Sequence, residues 1–257
     1  MEELKDGAGL ILFAGRFGSG KTEAAINYAL ALVEGPGSRP WGEQHGGQGQ
    51  LPKARSPVPG VQHAPPKRAI LIDLDIVTPY FRSREVTETI RKEGVEVIAP
   101  SAVGQHLDTP AITPQILGAI QQQEQPVVID VGGDRQGARA LGQFSSAIRQ
   151  RGYTMHFVVN PYRPFTDSLE GLTRSISEIE SSARLRVSSL VSNPNLMGET
   201  TAEQILEGHA RIEEFARRLK LPIAFVCLER HWVAQLGAER FAQPILALDR
   251  YFTMSWE

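Results

Sequence analysis

The chain has a single cysteine, Cys227, in 257 residues. This excludes an intrachain disulfide framework and any all-cysteine zinc or iron–sulfur site within one chain. The six histidines show no paired metal-ligand spacing. No uncharged apolar run reaches the length of about 18 residues that a membrane span needs, so no span is predicted. The first nine residues, MEELKDGAG, are acidic and contain glycine, which does not suit a secretory signal peptide, and a cytoplasmic location is expected. Positive charge is not in excess either. The net charge of -2 and pI of about 6.3 lack the footprint of an obligate DNA binder, so no nucleic-acid partner is expected. With 41% hydrophobic and 22% charged residues the composition is that of an ordinary globular protein. A single domain over residues 1–257 is the expected organisation.

Apolar residues are also scarce in one segment, residues 35–68, which hold seven Gly and seven Pro in 34 residues and a local charge of +4. Such a composition does not bury enough surface to offset ordering entropy, and the segment reads as an insertion without fixed structure. Outside it, short apolar runs alternate with helical patterns. The runs at 10–14, 69–74, 95–99, 127–131, 155–159, 187–191 and 223–227 read as buried strands. Residues 22–33 are Ala- and Leu-rich, 82–92 stop at Gly94, and Thr113-Pro114 reads as an N-cap followed by proline at the first helical position. Leu169, Leu172, Ile176 and Ile179 line one helical face, and Ile205, Ile212, Phe215 and Leu219 another. This order predicts an α/β fold, a mostly parallel twisted sheet of about seven strands with helices on both faces.

The strongest local signal is Gly15-Arg16-Phe17-Gly18-Ser19-Gly20-Lys21-Thr22, which fits G-x-x-x-x-G-K-[ST] at every fixed position. It falls between a predicted strand and a predicted helix, where a phosphate loop belongs. Small residues let successive N–H groups face one centre, and the helix N-terminus adds partial positive charge. Lys21 supplies a mobile cation for phosphates, and the Thr22 hydroxyl is a candidate ligand for Mg²⁺. A nucleoside triphosphate and Mg²⁺ are the implied cofactors. No Asn-Lys-x-Asp guanine motif occurs, which favours ATP over GTP.

Two predicted strands end in acids, Asp73-Leu74-Asp75 and Asp130-Val131-Gly132-Gly133-Asp134. Strand C-termini in open α/β sheets face the ligand crevice. Asp130, after four apolar residues, reads as the carboxylate that holds Mg²⁺ through its water shell. Gly133 is placed where its N–H can sense a γ-phosphate. Asp75 is a candidate to orient or deprotonate an attacking water and to serve as a metal ligand.

These three elements together resemble the ParA/MinD-type P-loop ATPases, a group that also contains iron–sulfur carriers, nitrogenase iron protein and cobyrinate amidases. The likeness covers nearly the whole chain outside residues 35–68, in element order as well as motifs. The stretches from Asp73 to Glu85 and from Val191 to Thr201 resemble a bacterial branch of that group described as ATP-binding. In the family an Asn just after the sixth strand contacts adenine, which implies that role for Asn193, with Asn195 as the alternative. The family's distinguishing lysine, which crosses a dimer to the other subunit's phosphates, falls at Arg16. Arginine keeps the charge but not the shape. The resemblance thus implies an ATP-dependent homodimer, with Arg16 acting across it or within its own subunit. Residues 245–256 lack the Lys/Arg-rich polar face of a membrane-binding amphipathic helix, so packing on the domain is expected and no membrane partner.

The implied catalytic residues are Lys21, Asp75 and Arg16. Loops at the same sheet edge, around Arg82 and Arg84, His106 and Asp108, Asp134 to Arg139, and Tyr162 and Arg163, form a candidate surface for a second substrate or partner. The leading expectation is an Mg²⁺-dependent ATPase that switches on a protein partner. The alternatives are an ATP-dependent small-molecule kinase or ligase, and a regulatory module that binds nucleotide without turnover.

Overall fold

The computed structural model describes residues 9–34, 68–75, 84–99 and 114–251. The 35–67 part of the expected insertion, the Thr113 cap, and the loops bearing Arg82, His106 and Asp108 lie outside these residues. Eight strands form one sheet, β1 (Leu10–Gly15), β2 (Ala69–Leu74), β3 (Val95–Ile98), β4 (Val127–Val131), β5 (Thr154–Val159), β6 (Ser189–Ser192), β7 (Ile223–Glu229) and β8 (Ile245–Leu248). Their order is β3-β2-β4-β1-β5-β6-β7-β8, and every pairing is parallel. β1 sits inside the sheet, flanked by β4 and β5, so the loop that leaves its end opens between two buried neighbours.

Helices cover both faces, as expected for parallel strands apolar on both sides. Alternate residues of β1 divide between the two cores. Leu10 and Leu12 pack with α3 (Pro114–Gln121), α4 (Arg135–Gly142), α5 (Ser145–Arg151), α6 (Leu169–Ala183) and α7 (Ala202–Leu219). Ile11 and Phe13 pack with α1 (Lys21–Glu34) and α2 (Arg84–Lys92). A third cluster joins β7 and β8 to α8 (Arg230–Leu236) through Val226, Leu228, Val233 and Ile245. Among the described residues, no helix is long and apolar enough to cross a membrane.

The sheet has one strand more than the seven read from the sequence. The run Ile245–Leu248, expected only to pack on the domain, pairs with β7 from Val226↔Ile245 to Glu229↔Leu248. That pairing also draws β7 two residues beyond its expected end. The sixth strand starts at Ser189 rather than Val187, because the Val187 N–H donates to the Glu180 side chain at 2.8 Å instead of joining the ladder. α4 escaped the periodicity reading because Gly137 and Gly142 depress its helix propensity. Its start is fixed instead by Asp134, whose side chain accepts from the Gly137 N–H at 2.8 Å.

Candidate phosphate-loop site

The site is assembled where β1, β2 and β4 end beneath the first turn of α1. β1 stops at Gly15, the chain turns through residues 16–20 with Ser19 N–H donating to Arg16 O at 3.0 Å, and α1 begins at Lys21. Gly18 and Gly20 have φ of +74° and +83°, a left-handed backbone that residues with a Cβ rarely adopt. At Gly20 a Cβ would also collide with the Asn193 amide. The sequence motif therefore has the strand, turn and helix geometry of a phosphate loop.

Three aspartates converge under this loop. Asp73 and Asp130 are direct partners in the β2–β4 register, and Asp75 follows Asp73 by two, so the pleat period places them on the α1 face of the sheet. All three are buried, as are Lys21 and Thr22. Lys21 Nζ donates to Asp75 Oδ2 at 2.8 Å, and Thr22 Oγ1 donates to Asp130 Oδ2 at 2.6 Å. Asp73 Oδ1 accepts from the Asp75 N–H at 2.8 Å, an Asx-type turn that ends β2 and fixes the Asp75 backbone beside Lys21.

Burial and the facing Asp130 charge push the Asp73 carboxyl up to about 8. Burial pushes Asp130 up to about 6, against the opposing pull of Lys21 and the Thr22 hydrogen bond. The pocket thus holds more acid than Lys21 neutralises, and it resists ionising all of it. Asp130 Oδ1 is buried with no hydrogen-bond partner. A divalent cation would meet both conditions. Among the described residues no group of three His, Cys, Asp or Glu side chains could hold a metal by itself. A cation that takes few ligands from the described side chains and the rest from water and phosphate has the habit of Mg²⁺. Thr22 and Asp130 are the side chains that fit it.

The other expected site residues divide by position. The Gly133 backbone lies against the loop, so a Cβ there would meet Phe17 N at 2.8 Å and Arg16 C at 3.1 Å. Packing alone requires glycine at this position. Asn193 is buried and its Nδ2 donates to Ser19 O at 2.7 Å, tying the end of β6 to the loop. Asn195 is occupied by a local turn, accepting from Met197 N–H at 2.5 Å. A groove runs from Gly18 and Gly20 past Asn193 and Asn195 to Glu229 and Arg250 at the far edge of the sheet. Phe17 is 63% exposed at the loop rim. Arg16 turns away from the groove, with Nε donating to Ser175 Oγ at 2.8 Å and its guanidinium meeting Glu178 at 2.5 Å, both on α6. It also stacks over the Phe165 ring, 5.4 Å from the centroid.

Two participants carried no role in the sequence reading. Asp73 was visible within Asp-x-Asp, and the strand period that places it beside Asp75 was the available signal. Glu178 was hidden, because nothing local to α6 connects it to a residue 162 positions earlier.

No family model matches the chain, and no curated protein matches it. Among solved structures it is similar to chloroplast FtsY from Physcomitrella patens, at 13% sequence identity and a TM-score of 0.43, with 84% of this chain and 57% of that chain covered. The chain thus spans little more than half the length of that protein.

Proposed function

We propose that this chain is a single-domain Mg²⁺-dependent ATPase of the ParA/MinD-like kind, which binds MgATP at the Gly15–Thr22 loop and uses hydrolysis to switch its action on a protein partner. The observation that carries the reading is the pair of contacts beneath the loop, Lys21 to Asp75 and Thr22 to Asp130, beside a buried Asp130 oxygen that lacks a partner. Backbone N–H groups of residues 16–21 cradle the phosphates, and Lys21 leaves Asp75 to meet them. Thr22 and Asp130 would hold Mg²⁺, which would supply neutralisation of charge on the phosphates.

Once Lys21 has moved, the Asp75 carboxylate lies beside the phosphate end without its Lys21 contact. That suits it to orient water and accept its proton. Asn193, fixed to the loop by its bond to Ser19 and lining the groove, takes the base contact that the family resemblance implies. The choice of ATP rests on the absence of a guanine motif and on the family resemblance of the sequence. The same resemblance supports an ATP-dependent homodimer.

The test is calorimetric titration of MgATP and MgGTP into the wild type and Lys21→Ala, with phosphate release measured in parallel. Tight MgATP binding that vanishes in Lys21→Ala is expected. Equal affinity in both proteins would remove the phosphate-loop assignment, and preference for MgGTP would remove the choice of base.

A further inference from the structure

Lys21, Arg16 and Arg163 all flank the phosphate loop, and two of them are already met by carboxylates. Lys21 faces Asp75 at 2.8 Å and Arg16 faces Glu178 at 2.5 Å. Arg163 has no acidic partner among the described residues, and its Nε is buried with no hydrogen-bond partner. Its side chain lies along the loop. A Cβ built on Gly18 would find Arg163 Nε, Cδ and Cζ as its nearest neighbours, at 3.3, 3.5 and 3.7 Å. Arg163 also lines the groove together with Gly20 and Asn193.

The segment that carries it is held in place. Arg163 N–H donates to Asn160 O at 3.2 Å, and Thr166 N–H donates to Arg163 O at 3.2 Å. Asn160 is itself anchored, donating from Nδ2 to Asn195 O at 2.7 Å. Two residues on, Phe165 has a φ of 69°, an unfavourable value for an aromatic residue. Strained backbone held by several hydrogen bonds is a feature of binding sites.

We propose that Arg163 is a phosphate-binding residue of the nucleotide site, supplied from the same chain by the loop between β5 and α6. This rests on the phosphate-loop reading above. A guanidinium with an unmet buried N–H is poorly satisfied without a ligand, and its planar fork matches two phosphate oxygens at once. The cation-holding pair Thr22 and Asp130 is not part of the groove lining that Arg163 shares. Arg163 therefore serves phosphate binding in the ground state, and its loss lowers affinity more than turnover.

The experiment is calorimetry of MgATP and MgADP, with adenosine measured by competition, on Arg163→Ala, Arg163→Gln, Arg163→Lys and Lys21→Ala, each checked for its unfolding temperature. Arg163→Ala and Arg163→Gln are expected to weaken MgATP and MgADP by about 10- to 100-fold, the loss of a charge-assisted pair of hydrogen bonds. Adenosine affinity and unfolding temperature should stay near wild type, and Arg163→Lys should recover only part of the loss. Wild-type MgATP affinity in Arg163→Ala, with binding lost in Lys21→Ala, overturns this proposal and leaves the phosphate loop standing. Equal weakening of adenosine and MgATP overturns it too, because Arg163 would then pack on the base. Wild-type affinity in both Arg163→Ala and Lys21→Ala overturns the phosphate-loop reading itself.

Discussion

Lys21 Nζ and Asp75 Oδ2 meet at 2.8 Å in a place where both side chains are almost wholly buried, 4% and 2% exposed. Breaking an ion pair that dry by removing one member costs up to about 3–5 kcal/mol. Lys21→Ala should therefore lose two things together, MgATP binding and several degrees of unfolding temperature. Lys21→Ala combined with Asp75→Ala should regain much of the temperature and none of the binding. Thermal unfolding and calorimetry on the single and double variants separate the two effects. A double variant no more stable than Lys21→Ala would show that the pair is not what Lys21 contributes to the fold.

Asp75→Asn keeps the shape at the same position and removes the carboxylate proposed to accept a proton. Because neither Thr22 nor Asp130 is disturbed, MgATP affinity should hold within a few-fold. Steady phosphate release should fall by roughly 10²-fold or more, the contribution of a positioned general base. Unchanged turnover in a coupled assay would assign Asp75 to pairing with Lys21 alone.

Asp130 differs, because burial raises its carboxyl to about 6 and makes its ionised form costly in the folded protein. At pH 8, Asp130→Asn removes that cost, so the protein without nucleotide should unfold at a higher temperature than wild type. The same variant should lose the gain in nucleotide affinity that Mg²⁺ confers on the wild type. Titration of ATP with Mg²⁺ and with excess chelator measures that gain. A variant that is less stable and still responds to Mg²⁺ would contradict the placement of the cation beside Thr22 and Asp130.

The phosphate loop was legible because its chemistry is local. Eight consecutive residues specify turn, helix start and cation together. Asp75 and Asp130 were legible for a related reason, since each follows a strand's apolar run and a parallel sheet gathers such ends on one edge. What stayed hidden depends on distant packing. β8 is four residues whose partner is known only once the strand order is. The contacts of Arg16 with Glu178 and of Asn193 with Ser19 join residues more than 150 positions apart. Gly133 was read as a sensor of phosphate, and its packing against Arg16 and Phe17, which no local pattern showed, is a separate demand for glycine.

His156 gives the fold a dependence on pH that is separate from the site. It is buried beside Phe13, Tyr28 and Phe225, with Nδ1 2.6 Å from Ser189 Oγ. Burial lowers its pKa from 6.5 to about 4. Folded His156 thus stays neutral while the unfolded chain takes up a proton, so its contribution is complete above about pH 6.5 and declines as pH falls toward 4. His156→Gln retains a partner for Ser189 and does not titrate. Between pH 7.5 and 4.5 the stability of wild type relative to His156→Gln should fall by about 2–3 kcal/mol. Urea unfolding of both proteins at both pH values measures the difference, in which the shared effects of Asp73 and Asp130 cancel. A difference that stays constant would mean that His156 is protonated in the folded protein.

Arg16 can cross a dimer only by leaving Glu178 and Ser175 on its own α6. The Arg16–Glu178 pair is partly exposed, with side chains 16% and 31% accessible. Exposed pairs contribute about 0.2–1 kcal/mol, and the Ser175 bond and the Phe165 contact add to the restraint on Arg16. If Arg16 acts in trans, Glu178→Gln should raise ATP-dependent dimer formation and turnover by about 1.5- to 5-fold, the range that such a pair allows. Arg16→Ala should still bind MgATP and turn over slowly. Mixing it with Lys21→Ala should restore activity, because that partner still donates an intact Arg16 to a site with an intact Lys21. Light scattering with and without a non-hydrolysable ATP analogue follows the assembly, and phosphate release follows the mixed protein. A monomer in every nucleotide state, no response to Glu178→Gln and no recovery on mixing would together fix Arg16 as a brace between the phosphate loop and α6 of its own chain.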